Sequence, residues 1–206
     1  MPFEIEEIDR QKKLFTKKTS YKIKVFGVGG AGNNAIQRMV KKGISDVELI
    51  SANTDVQVLE NIDSPIKIQL GKELTRGLGA GGDPEIGRKA ALESIEEIRD
   101  ILQDTDLLFI TAGLGGGTGT GAVPVIAELA TQLGILTVAI VTTPFHFEGS
   151  TKERIALKGF HETKRYVDSL IKISNDKLID NDEDIPIDKA FEKADEILLQ
   201  AITGIS

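Results

Sequence analysis

Residues 113–121 read Gly-Leu-Gly-Gly-Gly-Thr-Gly-Thr-Gly, so that six of the nine positions are glycine. The apolar run at 107–111 comes directly before them and is typical of a buried strand, whereas the apolar spacing from Val123 to Leu133 predicts a helix directly after them. The first amides of a helix lack internal partners, and the helix dipole places about half a positive charge there. Because glycine lets the backbone approach a phosphate closely, this stretch predicts an anion-binding turn.

The composition of the chain is that of an ordinary globular protein. Its 206 residues can bury one substantial core, and 40% of them are hydrophobic and 28% charged. The net charge of −7 argues against a nucleic-acid partner. No apolar run reaches the roughly 18 residues that span a bilayer, so we expect no direct membrane insertion. The absence of cysteine excludes disulfides and thiolate metal sites and favours a reducing compartment, which we expect to be the cytoplasm.

Strand and helix patterns alternate along the chain after residue 20. Strand patterns occupy residues 22–28, 47–52, 66–70, 107–112, 135–143 and 170–173. Helix patterns occupy residues 33–42 and, with or without a break, 83–102. The two longest apolar strand patterns are rich in β-branched residues, as central parallel strands are. This alternation predicts the α/β class, with a doubly wound, mainly parallel sheet and helices on both of its faces.

The same patterns divide the chain into three parts. Residues 1–20 carry mixed charges around few apolar residues and predict a flexible tail, with at most a short helix over 5–15. Residues 21–186 contain the alternating elements and form the expected α/β domain. From 187 to 206, apolar residues recur at helical spacing, which predicts a long helix with a core-facing stripe.

Three glycine-rich loops follow strand patterns. They are 27–32 (Gly-Val-Gly-Gly-Ala-Gly), 77–82 (Gly-Leu-Gly-Ala-Gly-Gly) and the stretch at 113–121. Ligands of doubly wound sheets bind beyond the carboxyl ends of the strands, where such loops meet. The chain has no G-x-x-x-x-G-K-[ST] sequence, so it is not a P-loop enzyme. Three loops at one edge therefore predict a triphosphate that backbone amides hold from several sides.

Two alternatives from other classes stay open on the residues alone. The first loop satisfies G-x-G-x-x-G, which suggests an NAD(P)-dependent oxidoreductase with an acidic residue after the second strand, and Asn53-Thr54-Asp55 lies near that position. That reading leaves the two further glycine loops unexplained. A scaffold without nucleotide is the other alternative, and the folding entropy cost of so many glycines speaks against it.

Beyond the glycine loop at 115–121, several short motifs resemble the tubulin/FtsZ family of GTPases. They are residues 27–35, 53–55, 77–81, 144–149 (Pro-Phe-His-Phe-Glu-Gly) and 175–178 (Asn-Asp-Lys-Leu), in the order of the family. The last two resemble the FtsZ branch rather than tubulin. The resemblance covers residues 21–206 and implies the GTP-binding domain of a cytoskeletal GTPase that polymerises into filaments for bacterial cell division.

The resemblance implies a nucleotide-binding role for specific residues. Those implied for the α and β phosphates are Gly30, Ala31, Gly32 and Asn34, with Asn34 reaching toward the base. Those implied to close over the γ-phosphate are Ala80, Gly81 and Gly82. Those implied to surround the β and γ phosphates are Gly116, Gly117, Thr118 and Gly119. At the nucleoside, the implied residues are Pro144 and Glu148 for the ribose, Phe191 stacked on guanine, and Asp195 as acceptor for its N1 and N2 hydrogens.

Two positions depart from the family pattern. Lys152 stands where many members have arginine, and lysine keeps the charge but loses the bidentate fork, with Arg154 nearby as a weaker substitute. Asp83 stands where asparagine is usual, and it reads equally well as the N-cap of a helix that has Pro84 in its first turn. The implied cofactor is GTP or GDP, with magnesium as a candidate companion ion.

The resemblance also implies features beyond these residues. In the family, a loop rich in Asn and Asp and then a second domain follow the helix at 187–206, and that loop positions the attacking water on the nucleotide of the next subunit. We therefore expect no catalytic residue within this chain, little or no GTP hydrolysis by the chain alone, and head-to-tail association with full-length subunits through the nucleotide face. Other cell-division proteins at the division site are the further expected partners.

Overall fold

The computed structural model describes residues 3–7, 21–44 and 47–179, together with the single positions 186, 189, 192, 193, 196 and 200. A sheet with the strand order β1-β7-β6-β5-β2-β3-β4 runs through the molecule. The strands are β1 (Phe3–Glu7), β2 (Ile23–Val28), β3 (Glu48–Asn53), β4 (Ile66–Gln69), β5 (Leu107–Gly113), β6 (Leu136–Thr143) and β7 (Ser169–Ser174). Strands β2 to β7 are parallel to one another, and β1 pairs with β7 in the antiparallel sense.

Helices connect the strands. They are α1 (Gly29–Lys41), α2 (Val56–Glu60), α3 (Lys72–Thr75), α4 (Pro84–Glu93), α5 (Ile95–Leu102), α6 (Thr118–Gln132), α7 (Ser150–Lys164) and α8 (Asp176–Ile179), with a 3-10 turn at His146–Glu148. The helix predicted over 83–102 is broken at Ser94 into α4 and α5. Within the ranges that the structure describes, no helix is both long and apolar enough to cross a membrane.

Successive side chains of β5 pack on opposite faces of the sheet. Phe109 belongs to a cluster with Ile36 of α1, whereas Leu108 and Ile110 belong to a larger cluster with residues of α4, α5, α6 and α7. All four side chains are fully buried. A strand that is covered on both faces reads as a continuous apolar run, because neither face meets water. The predicted class, a doubly wound α/β sheet with helices on both faces, is confirmed.

Residues Phe3–Glu7 were expected in a flexible tail, but they form the edge strand β1. The strand runs from Phe3 opposite Ile173 to Glu7 opposite Ser169. The tail was inferred from the count of charges, which overlooks the period-two alternation of Phe-Glu-Ile-Glu. The rest of the predicted tail, residues 8–20, lies outside the described residues, as does most of the helix predicted over 187–206.

Candidate functional site

A cleft of about 270 Å³ opens at the carboxyl edge of the sheet, where β2, β5, β6 and β7 end. The residues that line it are Gly29, Gly30, Ala31, Gly113, Leu114, Gly116, Gly117, Thr118, Gly119, Thr142, Pro144, Glu148 and Asn175. The first and third glycine loops therefore share one cleft, as the sequence predicts. Of the predicted site residues, those that line it are Gly30, Ala31, Gly116, Gly117, Thr118, Gly119, Pro144 and Glu148.

Two helices begin at this cleft. Helix α1 follows β2 without any intervening residue, and α6 begins at Thr118, five residues after the end of β5. Neither helix has a side-chain hydrogen bond at its N-cap. Their first turns lie close together, because a Cβ built on Gly29 would stand 3.1 Å from the amide nitrogen of Gly119. Two sets of uncapped amides and two helix dipoles thus face the same space, which suits an anion.

Several of the glycines are needed for packing rather than for a ligand. A Cβ on Gly32 would lie 2.4 Å from the carbonyl oxygen of Thr111, and one on Gly121 would lie 2.0 Å from that of Pro84. Gly115 has a φ of +106°, which side-chain-bearing residues rarely adopt. The close approach of α1 to β5 accounts for Gly32, that of α6 to α4 accounts for Gly121, and the positive φ accounts for Gly115. Gly32 therefore supports the cleft from behind and does not line it.

Gly30 and Gly116 have neither of these reasons to be glycine. Among the described residues, a Cβ at either position would meet nothing within 4 Å, and neither residue has a positive φ. Both line the cleft with backbone that carries no side chain. Backbone that is bare at such points leaves room for a ligand to approach the amides closely.

The second glycine loop lies beside the cleft. Ala80 is 4% exposed, and a Cβ on Gly117 would come within 2.8 Å of the Ala80 Cβ, so this residue packs against the third loop. Gly81 and Gly82 are exposed, have φ of +59° and +79°, and have open space around them. The structure thus places the predicted γ-phosphate residues next to the cleft but not along its wall.

The two asparagines at the start of α1 have different positions. Asn33 is buried, and its Nδ2 donates to the carbonyl oxygen of Gly27 at 2.9 Å while its Oδ1 accepts from Nδ2 of Asn53 at 2.8 Å. These bonds join the first glycine loop to the end of β3. Asn34, the residue predicted to reach toward the base, is exposed and does not line the cleft.

Glu148 and Lys152 form a pair at the other wall of the cleft. Oε1 of Glu148 accepts from the amide of Phe145 at 2.9 Å, and Oε2 accepts from Nζ of Lys152 at 2.9 Å. The side chain of Glu148 is 15% exposed. The predicted residue Lys152 thus reaches the site through Glu148, where its charge offsets that of the carboxylate.

His146 lies in the same 3-10 turn, on the outer side. Its Nδ1 is 2.8 Å from Oε1 of Glu153, and its amide donates to Oδ1 of Asp176 at 2.8 Å. The hydrogen bond to Glu153, with the charges of Glu153 and Asp176, raises the pKa of His146 above its ordinary value. The backbone bond to Asp176 ties this turn to the end of β7.

Asn175 is a site residue to which the sequence assigned no role. It follows β7 directly, lines the cleft and is 5% exposed. Its Oδ1 is buried and has no hydrogen-bond partner among the described residues. An unpaired buried acceptor costs about 1–3 kcal/mol, so a ligand that draws this oxygen to the cleft surface and donates a hydrogen bond to it would be favoured. The Asn-Asp-Lys-Leu motif was the available signal, but only the strand order brings it to the cleft.

Other cleft residues were also missed. Gly29 and Gly113 belong to glycine loops that were recognised as such. The amide of Leu114 donates to the carbonyl oxygen of Thr142 at 2.9 Å, which extends the pairing of β5 and β6 into the third loop. No local pattern marks Thr142, because its place depends on β6 lying next to β5.

Phe191 and Asp195, the predicted base-binding residues, lie outside the described residues. At the second loop, Oδ1 of Asp83 accepts from the amide of Glu85 at 2.8 Å, so Asp83 caps α4 as the alternative interpretation predicts. Within the part of the chain that the structure describes, no group of three or more His, Cys, Asp or Glu side chains could hold a metal ion by itself.

Comparison with known proteins identifies the class. The GTPase domain of the tubulin/FtsZ family matches residues 22–183, and the chain therefore belongs to this family. The cell division protein FtsZ of Aquifex aeolicus (strain VF5) is 54% identical over 186 residues, which are 90% of this chain and 51% of that protein. The oxidoreductase alternative is not favoured by these findings.

Solved structures agree with this assignment. An FtsZ dimer from M. jannaschii has a TM-score of 0.88 at 48% identity, over 90% of this chain and 54% of the other. CetZ2 from Haloferax volcanii, solved as a GTPγS-bound protofilament, has a TM-score of 0.77 at 24% identity, over 88% of this chain and 57% of the other, and so shares the fold. The chain spans about half the length of the relatives it matches.

Proposed function

We propose that this chain binds GTP and GDP in the cleft at the carboxyl edge of the sheet. The observation that carries the proposal is the meeting of two uncapped helix N-termini with the bare backbone of Gly30 and Gly116. Amide donors and helix dipoles in this arrangement suit phosphate groups. The match to a GTPase-domain family supports a guanine nucleotide.

The walls of the cleft suggest how a nucleotide is oriented. The phosphates lie along the first turns of α1 and α6, where Thr118 adds a hydroxyl donor. Glu148 accepts hydrogen bonds from the ribose hydroxyls, and its charge is offset by Lys152. Asn175 lies at the same wall, and a small rotation of its side chain would bring its unpaired Oδ1 to a donor on the nucleoside. The base contacts predicted for Phe191 and Asp195 belong to the same proposal, since a carboxylate accepts from both donors of guanine but meets an acceptor at N1 of adenine.

Magnesium is part of the proposal. The only charged residue among those that line the cleft is Glu148, within the part of the chain that the structure describes. A triphosphate carries about four negative charges, and backbone dipoles offset them only in part. Mg²⁺ is usually bound by phosphate oxygens, waters and one or two carboxylates, so a cleft without a carboxylate cluster fits an ion that arrives with its nucleotide.

Calorimetric titration of the 206-residue chain with GTP, GDP and ATP tests the proposal. We expect GTP and GDP to bind at least about tenfold more tightly than ATP, which corresponds to 1.4 kcal/mol. The variant Asn175→Leu should lower the affinity for GTP, because it leaves a nucleoside donor without its acceptor. Equal binding of ATP and GTP would remove the assignment of guanine, and no binding of either would overturn the proposed function.

We also propose that hydrolysis needs a second subunit. Glu148 is the only carboxylate among the described residues that line the cleft, and in this proposal its remaining acceptor sites take the ribose hydroxyls, so it does not orient a water molecule. Leu78 is 84% exposed and Phe147 is 54% exposed, on two segments that adjoin the cleft. Apolar side chains so exposed around a site favour a surface that docks another subunit. The activity proposed for the assembled protein is therefore GTP hydrolysis by filaments that act in cell division.

Two assays address this second part. Phosphate release by the purified chain should be far slower than that of full-length Aquifex aeolicus FtsZ, because positioning of water is missing. In light scattering, the chain should reduce assembly of the full-length relative by capping filament ends, and the double variant Leu78→Ser/Phe147→Ser should not. Turnover at full-length rates, or unchanged assembly at equimolar chain, would contradict the proposal.

A further inference from the structure

Thr54 occupies a central position behind the cleft. It follows β3 directly and is fully buried. Its Oγ1 lies 2.6 Å from Oγ1 of Thr118, the first residue of α6 and a residue of the cleft wall. This is the one hydrogen bond of the Thr54 hydroxyl within the described residues. The two threonines are 64 positions apart in the sequence, so the contact depends entirely on the fold.

The side chain of Asn53 and the carbonyl group of Thr54 form hydrogen bonds that lead to the other two glycine loops. The carbonyl oxygen of Thr54 accepts from Oγ1 of Thr75 and from the amide of Gly79, each at 3.2 Å, which holds the second loop. The side chain of Asn53 donates to Asn33, which in turn donates to the carbonyl oxygen of Gly27 in the first loop. One short segment therefore contacts all three loops.

The number of hydroxyl protons decides which of the two threonines donates the hydrogen bond. Each threonine hydroxyl carries one proton and accepts through its lone pairs. Thr118 has a hydroxyl proton for a phosphate oxygen only if the bond between the two hydroxyls is donated by Thr54. With no ligand bound, either atom can be the donor. An anion in the cleft favours the arrangement in which the proton of Thr118 points toward it.

We propose that Thr54 is a positioning residue for phosphate: its hydroxyl donates to Oγ1 of Thr118 and thereby directs the Thr118 proton into the cleft. The inference rests on the proposed binding of GTP and adds a buried residue that does not itself line the cleft. It differs from a purely structural role, in which the hydroxyl bond would hold α6 in place whether or not a phosphate is bound.

A double-mutant cycle separates these roles. Calorimetry gives the affinity for GTP, and competition gives that for guanosine, in the native chain, Thr54→Val, Thr118→Val and the double variant. We expect Thr54→Val to weaken GTP binding about tenfold and guanosine binding hardly at all, and to have no further effect once Thr118 is valine. Thr54→Ser keeps the hydroxyl and should restore the affinity for GTP.

Each contrary outcome has a distinct meaning. An equal loss for guanosine, or the same loss in the Thr118→Val background, would overturn the positioning role and leave only a structural one. A native chain that binds GTP together with an unaffected Thr54→Val would overturn the inference alone, whereas a native chain that does not bind GTP would overturn the proposed function with it. Thermal unfolding without nucleotide checks the fold, and Thr54→Ala replaces the valine variant if that one does not fold.

Discussion

At Gly116 an added methyl group would meet no atom within 4 Å, whereas at Gly121 it would lie 2.0 Å from the carbonyl oxygen of Pro84. The two residues stand in the same loop-and-helix segment, and the sequence does not distinguish them. Gly121 is glycine because two helices touch there, whereas Gly116 has no packing reason of this kind among the described residues. The pair is therefore a matched test of ligand contact against packing.

Alanine at these positions should have opposite effects. Gly116→Ala should leave the free energy of unfolding unchanged or raise it by about 0.4–1 kcal/mol, because it restricts the unfolded chain, while weakening GTP binding at least about tenfold. Gly121→Ala should lower the free energy of unfolding by about 1–3 kcal/mol through overpacking of α6 against α4. Urea denaturation and calorimetry measure both quantities. A destabilised Gly116→Ala, or one with unaltered GTP affinity, would show that the cleft is not its reason for being glycine.

Among the elements, the 3-10 turn at His146–Glu148 joins two walls of the cleft. Its Glu148 faces the cleft, and its His146 contacts Glu153 of α7 and Asp176 of α8. The side chain of His146 is 87% exposed, so the ion pair with Glu153 is screened by water and adds little to stability. The ion pair is useful because the pKa of His146 shows whether the turn has this geometry in solution.

The turn makes a pH-dependent prediction. Because the hydrogen bond to Glu153 raises the pKa of His146, the pair contributes its full stability below the ordinary histidine pKa of about 6.5 and loses it as pH rises through the raised value. NMR titration should find the pKa of His146 above 6.5 in the native chain and lower in Glu153→Gln. An identical pKa in both proteins would mean that this contact does not form in solution.

For the whole molecule, net charge determines how strongly phosphate groups are attracted to the cleft. The chain carries a net charge of −7, and no lysine or arginine lines the cleft among the described residues. The Lys152 ammonium nearby is paired with Glu148. In the proposed function, nucleotide phosphates would be repelled by the molecule at long range and attracted by local dipoles at the described cleft residues.

Divalent cations should therefore strengthen binding in proportion to phosphate charge. We expect millimolar Mg²⁺ to raise the affinity for GTP at least about tenfold over that in EDTA, with a smaller gain for GDP and none for guanosine. Calorimetry with each ligand in both buffers measures these differences. A gain of the same size for guanosine would indicate an effect of Mg²⁺ on the protein instead of on the phosphates.

How far the sequence predicts the site varies with the residue. The loops that contain Gly30 and Gly116 were located correctly, because glycine-rich turns after apolar strands are local features. The roles of Asn33 and Asn34 are harder to predict from the sequence. Adjacent side chains of a helix point about 100° apart, and only the packing shows which of the two faces inward. The resemblance assigns Ala80 to the γ-phosphate, which stays a prediction; the structure adds that Ala80 packs against Gly117.

The sequence by itself determined the α/β class and the positions of the six strands after residue 20 and of the helices α1, α4, α5 and α6, because these depend on residues that are neighbours along the chain. It did not predict α7 or the short helices α2, α3 and α8. The tertiary structure decided which glycines are open to the cleft, that Asn175 lines it and has a buried, unpaired oxygen, and that Thr54 touches Thr118. Such contacts join residues on different strands. They depend on the strand order and on the depth of helix packing, which no local pattern of side chains encodes.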